Sequence, residues 1–262
     1  MLHSLRAQKR AREILITKIL AIFSAILLFI LFVGFFSRSS FIRTDVEIIG
    51  NLVTDKNIVQ AKINEILSRN LLFVIHRDNF IFFPWKKIKI ELTEEFPRIK
   101  EINIEPINLR KIEISISERE GNFLACKTES ECFFVDDAGF VYAPSPYLFG
   151  NIFFRFFSSS FELGQFLLSS EEFNEIVSFK EKLDFLELET NWIVINEENF
   201  ELYFPNQAKI IVNRNDDFKL IINNLESALA SEPLKTKLKD EFEKLEYLDL
   251  RFDNRVVYKF KE

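Results

Sequence analysis

Glycine is scarce in this chain: six among 262 residues, at Gly34, Gly50, Gly121, Gly139, Gly150 and Gly164. Spaced so far apart, they cannot write the GxxxxGK or GxGxxG loops that cradle phosphates, and the common nucleotide-binding folds drop out. Histidine and cysteine are scarcer still, at His3, His76, Cys126 and Cys132, which excludes a Cys/His zinc site of the usual spacings. A cationic surplus is missing too: 34 Lys+Arg stand against 40 Asp+Glu, a formal net charge of -6 with a pI near 5.3. Nucleic acid is therefore not an expected partner, because neutralising phosphates takes clustered Lys and Arg. What the chain has in quantity is apolar, with 48% hydrophobic and 15% aromatic residues. That much apolar content offsets chain entropy and excludes intrinsic disorder. The 31 Phe, beside abundant Ile, Lys and Asn, read as biased base composition rather than as an aromatic binding surface.

From Ile19 to Phe36 the chain runs uncharged, with only Ser24 and Gly34 interrupting bulky apolar residues. A helix of this length crosses a bilayer core, which takes roughly 17–25 residues. Before it, residues 1–18 carry Arg6, Lys9, Arg10, Arg12 and Lys18 against Glu13, a net +4 that leaves -10 for the remainder. The positive-inside rule keeps such a tail in the cytoplasm and exports the chain beyond Phe36. A cleaved signal peptide is the competing reading, but its apolar stretch is usually about 7–15 residues and ends in small residues; here the exit is Phe35-Phe36-Ser37-Arg38. The expected organisation is a basic cytoplasmic tail (1–18), a retained single-pass signal anchor in the lipid bilayer (19–36), a short Ser-rich stalk (37–44) and two exported domains (45–120 and 121–262).

In the first exported domain, Val46 and Ile48 before Gly50-Asn51 suggest a short strand ending in a bend. A helix comes next, with Thr54 as N-cap and Val59, Ile63, Ile66 and Leu67 on one face. A second begins at Pro84, with Trp85, Ile88, Leu92 and Phe96 at helical spacing, and closes at Phe96-Pro97. The period then becomes two: Ile102 and Ile104, a turn at Pro106–Leu109, then Ile112, Ile114 and Ile116. The order is β-α-α-β-β.

In the second domain, Cys126 and Cys132 lie either side of a short loop, flanked by Phe123-Leu124 and Phe133-Phe134-Val135, one on each strand of a hairpin. In an oxidising exterior they can pair and staple the loop; two buried unpaired thiols are the alternative. Asp136-Asp137-Ala138-Gly139 is turn chemistry. As a catalytic carboxylate pair, Asp136 and Asp137 lack an accompanying His or Lys, and neighbours on a strand point to opposite faces. Strands are expected at Ile152–Phe157, Trp192–Ile195, Phe200–Phe204 and Ile210–Val212. Helices are expected at Glu171–Leu186 and Asp216–Leu229, the latter with Asp216-Asp217 at the positive end of its dipole. Tyr247–Phe252 alternates Leu248, Leu250 and Phe252 with Tyr247, Asp249 and Arg251, and after Asp253-Asn254 a terminal strand carries Val256, Tyr258 and Phe260.

Several of these stretches together resemble one family. Phe41-Ile42 leading to Val46–Asn51, Phe96-Pro97-Arg98-Ile99-Lys100 with Ile102 and Ile104, the Pro106 turn, and Ile112–Glu120 are similar to a POTRA domain. With the basic tail and the anchor ahead of it, the stretch resembles more narrowly the POTRA domain of the FtsQ/DivIB bacterial cell-division family. Asp136–Tyr142 resembles the family's D-x-x-G-x-x-F/Y hairpin, and Tyr247–Phe252 its Y-x-D-L-R-Y/F strand. Arg110-Lys111 adds a residue after the turn leucine that a bulge would absorb. Between Phe204 and Val212 the glycines that the family often carries are missing.

The resemblance implies an α+β protein: a transmembrane helix, a POTRA domain and a β domain with an antiparallel sheet and helices. It implies a non-enzymatic divisome scaffold at the septum, in the inner membrane, binding FtsB/DivIC-like and FtsL-like division proteins, with no cofactor and no small-molecule substrate. Partner binding is expected on the last two strands, at Tyr247, Asp249, Arg251, Phe252, Val256, Tyr258 and Phe260. Arg251 is read there as a bidentate donor to a carboxylate and Phe252 as an apolar anchor, although alternation equally lets Phe252 face the core. The residues themselves add that serine lacks a GxSxG elbow and that His76 sits beside Arg77 and Asp78 in a loop. An anchored cell-wall hydrolase using two of the carboxylates, and a POTRA-type chaperone of exported chains, are the alternative functions.

Overall fold

A computed structural model describes residues 2–38, 44–50, 53–69, 80–146, 152–252 and 255–262. Most of the expected stalk, together with Asn51, His76 and Asp253-Asn254, lies outside the described residues. The chain divides into two compact units, Met1–Glu118 and Arg119–Glu262.

The first helix, α1 (Leu2–Arg38), takes in Ser37 and Arg38, which the stalk was expected to hold. Its stretch Ile14–Phe32 has a mean hydropathy of 2.8 and none of it is buried inside the protein. By length and composition it is able to cross a membrane.

The rest of this unit takes the order β1 (Asp45–Ile49), α2 (Lys56–Ser68), α3 (Trp85–Glu95), β2 (Ile99–Asn108) and β3 (Lys111–Glu118). The strands form one sheet in the order β1-β3-β2, with β1 parallel and β2 antiparallel to β3. Val59, Ile63 and Ile66 of α2 and Ile88 and Leu92 of α3 pack with Ile48, Ile102, Ile112, Ile114 and Ile116 of the strands into one core. Gly50 ends β1 at φ +130°, where an added Cβ would stand 2.1 Å from the Ile116 carbonyl oxygen. No side chain fits that approach.

Three local expectations shift. The N-cap of α2 is Asp55, whose carboxylate accepts from the Asn57 N–H at 2.8 Å. Thr54 instead donates its hydroxyl to Glu118 at 2.6 Å. The strand before the hairpin does not stop at Pro106 but continues to Asn108, and the turn is Leu109-Arg110. Proline is tolerated there because β2 is an edge strand among the described residues, and an outward N–H on an edge strand is not needed for the ladder. The extra residue is absorbed at Ile107, between the pairs Pro106–Ile112 and Asn108–Lys111, rather than after the turn.

The second unit holds β4 (Phe123–Cys126), β5 (Cys132–Val135), β6 (Val141–Pro144), β7 (Phe154–Phe157), α4 (Ser170–Phe185), β8 (Trp192–Ile195), β9 (Asn199–Tyr203), β10 (Lys209–Asn213), α5 (Phe218–Leu229), α6 (Leu234–Glu241), β11 (Leu245–Phe252) and β12 (Arg255–Phe260). All strands join one sheet in the order β12-β11-β10-β9-β8-β7-β4-β5-β6. It is mixed rather than antiparallel: β4–β7, β7–β8 and β10–β11 run parallel. The reason is connectivity. A helix between β7 and β8, and a helical pair between β10 and β11, return the chain to the end from which the previous strand started.

Both long helices start on a side-chain cap. Ser169 accepts from the Glu172 N–H at 3.2 Å, and Asp217 from those of Lys219 and Leu220 at 2.9 and 3.3 Å. Phe173, Ile176, Phe179 and Leu183 of α4 and Phe218, Ile221, Ile222 and Leu225 of α5 are buried in the core that the sheet completes. Phenylalanine is used structurally here: Phe123, Phe156 and Phe173 meet with ring centroids 5.2–5.7 Å apart, and each fully buried ring contributes about 1.5–3 kcal/mol. α6, which no periodicity in the sequence announced, buries Leu234 alone.

Cys126 and Cys132 are opposite each other on β4 and β5 and form a disulfide. At the start of β6 the backbone is met by the chain around Gly164–Leu167. Gly164 N–H donates to Val141 O at 2.8 Å, Val141 N–H to Gln165 O at 2.9 Å, and Leu167 N–H to Gly139 O at 2.9 Å.

Candidate functional site

The residues expected to bind a partner lie on β11 and β12, at the other edge of the sheet. Leu245 and Leu248 are both fully buried although three residues apart, because a register shift against β12 falls between Leu245 and Tyr247. Leu250, two residues on, is also in the core. A second shift comes after Asp249, and Phe252, at the end of the strand, is 50% exposed. Of its two open readings, the solvent-facing one is what the structure has.

Tyr247, Asp249 and Arg251 occupy the positions alternating with the two core leucines. Asp249 is buried at 6% exposure and accepts from Arg251 three times: from Nε at 2.9 Å, from Nη2 at 2.7 Å and from the backbone N–H at 3.2 Å. Burial pushes the Asp249 carboxyl up, but these hydrogen bonds outweigh it and hold the group below its ordinary range. The fork of Arg251 is thus already directed at a carboxylate of its own strand, two residues back. Next to it, Glu201 accepts from Lys209 Nζ at 2.8 Å and from the Tyr203 hydroxyl at 2.6 Å. Burial, reinforced by that bond to Glu201, pushes Tyr203 up to about 12. The Tyr203 ring stacks on Trp192 at 5.4 Å. Trp192, Glu201 and Tyr203 fall in expected strands, but neither they nor Lys209 is among the expected site residues. Their alternation was legible, but only the pairing of β10 with β9 and β11 brings Glu201 and Lys209 near Asp249, and the β8–β9 pair sets Trp192 against Tyr203.

Val256, Tyr258 and Phe260 of β12 are half-buried against the core, with Tyr258 and Phe260 in edge contact at 5.9 Å and Lys237 of α6 over Phe260 at 5.5 Å. Their alternates Arg255, Val257 and Lys259 are exposed. Lys259 reaches Glu246 at 2.9 Å. Among the described residues β12 is the outermost strand, so one side of its backbone faces away from the sheet.

Elsewhere the polar clusters are accounted for locally. Asp136, 4% exposed, accepts from the N–H groups of Ala138 and Phe140 at 2.9 and 3.0 Å and pairs with Arg119, while Asp137 bonds Asn122. These carboxylates build a turn around Gly139, as Asp before Gly commonly does. A cleft of about 1310 Å³ between α4 and α5 is lined by Glu171, Glu172, Glu175, Asp216 and Asp217. Within it Glu172 is gripped by Arg214 at 2.6 and 2.9 Å, and Asp217 is the cap of α5. Among the described residues no group of three or more His, Cys, Asp and Glu could hold a metal ion. No family model and no curated protein matches the chain.

Proposed function

We propose that this protein is a membrane-anchored scaffold of bacterial cell division of the FtsQ/DivIB kind. In this reading α1 crosses the inner membrane once, residues 1–18 stay in the cytoplasm, and both units stand outside at the septum. There they bind FtsB/DivIC-like and FtsL-like single-pass partners without covalent chemistry. The β-α-α-β-β order of the first unit supports its reading as a POTRA domain. The observation that carries the proposal is the outward edge of β12, beside the Tyr247–Phe252 strand. An edge strand accepts a partner strand through its own N–H and C=O groups, and side chains at alternate positions provide selectivity.

The obvious disruptions are poor tests. Truncation after Lys244 would take Leu245, Leu248 and Leu250 out of the core, and Arg251→Glu would set a second carboxylate against buried Asp249. A proline scan of β12 avoids both problems. Proline removes an N–H, which breaks the ladder at inward positions and is tolerated at outward ones. Every second variant is therefore expected to keep its melting temperature yet lose most co-purification with an FtsB/DivIC-like partner. Full partner recovery by the folded proline variants would sink the strand-addition reading.

A further inference from the structure

We propose that the tip of the β2–β3 hairpin is a second, interfacial contact with the bilayer, a role beyond the scaffold reading that rests only on its anchor. The tip is apolar where a turn is ordinarily polar: Ile107 is 52% and Leu109 67% exposed. Neither is there for the core, since Ile107 is the bulged residue of β2 and Leu109 opens the turn. The turn is also held in shape, with Asn108 Oδ1 accepting the Arg110 N–H at 2.8 Å. Arg110, exposed at the same tip, supplies the cation that suits lipid phosphate beside apolar side chains.

Topology decides the occupant. β1 is parallel to β3 with Asp45 opposite Lys111, and the Asp45 N–H donates to Arg110 O at 2.7 Å. The chain therefore enters the sheet at the end where the hairpin turns. Only residues 39–44 lie between Arg38, the last residue of α1, and Asp45, a tether of at most about 25 Å fully extended. From Phe32, the end of the apolar stretch, to Arg38 is roughly 9 Å of helix, about the depth of the headgroup layer. Ile107 and Leu109 are thus leashed to the membrane surface. The opposite end of the sheet, where Val53 N–H meets Glu118 at 2.6 Å, is a whole strand further away, about 25 Å.

The test uses the full chain in vesicles of phosphatidylethanolamine and phosphatidylglycerol. Single cysteines replace Ile107, Leu109, Val53 and, in the apolar stretch, Leu28. Each carries an environment-sensitive fluorophore; the bonded Cys126 and Cys132 take no label. All four positions are exposed in the protein, so the labels disturb no core. Labels at Ile107→Cys and Leu109→Cys are expected to emit blue-shifted light and to be quenched severalfold more than Val53→Cys by spin labels on lipid headgroups. The Leu28→Cys label is expected to be quenched from the acyl chains. Water-like emission at the tip with Leu28→Cys quenched overturns the hairpin contact and leaves the anchor intact. Blue-shifted emission without lipid quenching overturns it in favour of a contact between protein copies. An unquenched Leu28→Cys removes the anchor, and this inference with it.

Discussion

Glu118 ties the end of β3 to the start of the segment leading into α2 with a single carboxylate: it accepts from the Val53 N–H at 2.6 Å, the Thr54 N–H at 3.0 Å and the Thr54 hydroxyl at 2.6 Å. Burial raises its pKa, and the three donors together lower it further than burial raises it, so the net position is below the ordinary 4.5. A carboxyl depressed in the folded state adds stability above its unfolded pKa and loses it as the pH falls through the folded value. The first unit is therefore expected to lose stability as the pH drops from about 4.5, and Glu118→Gln to flatten that acid limb while costing stability at neutral pH. Melting temperatures across pH for the two proteins check this; parallel curves would show that Glu118 does not supply the acid sensitivity. Asp249 obeys the same sign beside Arg251, which makes this pair a structural element of β11 before it is anything a partner could read.

At the scale of elements, the β4–β5 hairpin is held by its cross-strand disulfide. Closing so short a loop stabilises by about 2 kcal/mol in the chain-entropy account. Reductant is thus expected to lower the melting temperature of the wild type and to leave a Cys126→Ala/Cys132→Ala variant unmoved, with thiol labelling silent until reduction. Equal melting of the wild type with and without reductant would deny the staple any weight. The helices α2 to α5 and most strands were legible because their signals are local: apolar residues three or four apart, or two apart, with a cap or a turn at the boundary. The parallel β10–β11 pair was not, since no local pattern records which strand will be a neighbour. The bulge that lets Leu245 and Leu248 share a face is likewise a property of pairing with β12. α6 escaped because its one buried side chain leaves no apolar stripe to read. The same division holds for the candidate site. The alternation on β11 showed which side chains share a face, whereas the engagement of Arg251 by Asp249 and the half-exposed Phe252 depend on geometry at the strand's end.

For the molecule as a whole, the scaffold reading fixes a topology. Protease added to intact spheroplasts is expected to digest residues 41–262 and to spare the basic tail; protection of the C-terminal unit would reverse the orientation. The two edges of the larger sheet are not equivalent. β6 ends at Pro144 and has the outward N–H and C=O of its first residue, Val141, bonded by Gln165 and Gly164, whereas β12 is the outermost strand at the far side among the described residues. A sheet open at both ends can join others into a fibre, each copy acting as donor and acceptor in turn. One whose second edge is partly engaged is biased toward the first. In the strand-addition reading, β12 is the edge available along its length among the described residues, while β6 already spends the outward N–H and C=O of Val141 within the fold, so the two edges would compete unequally for a partner strand.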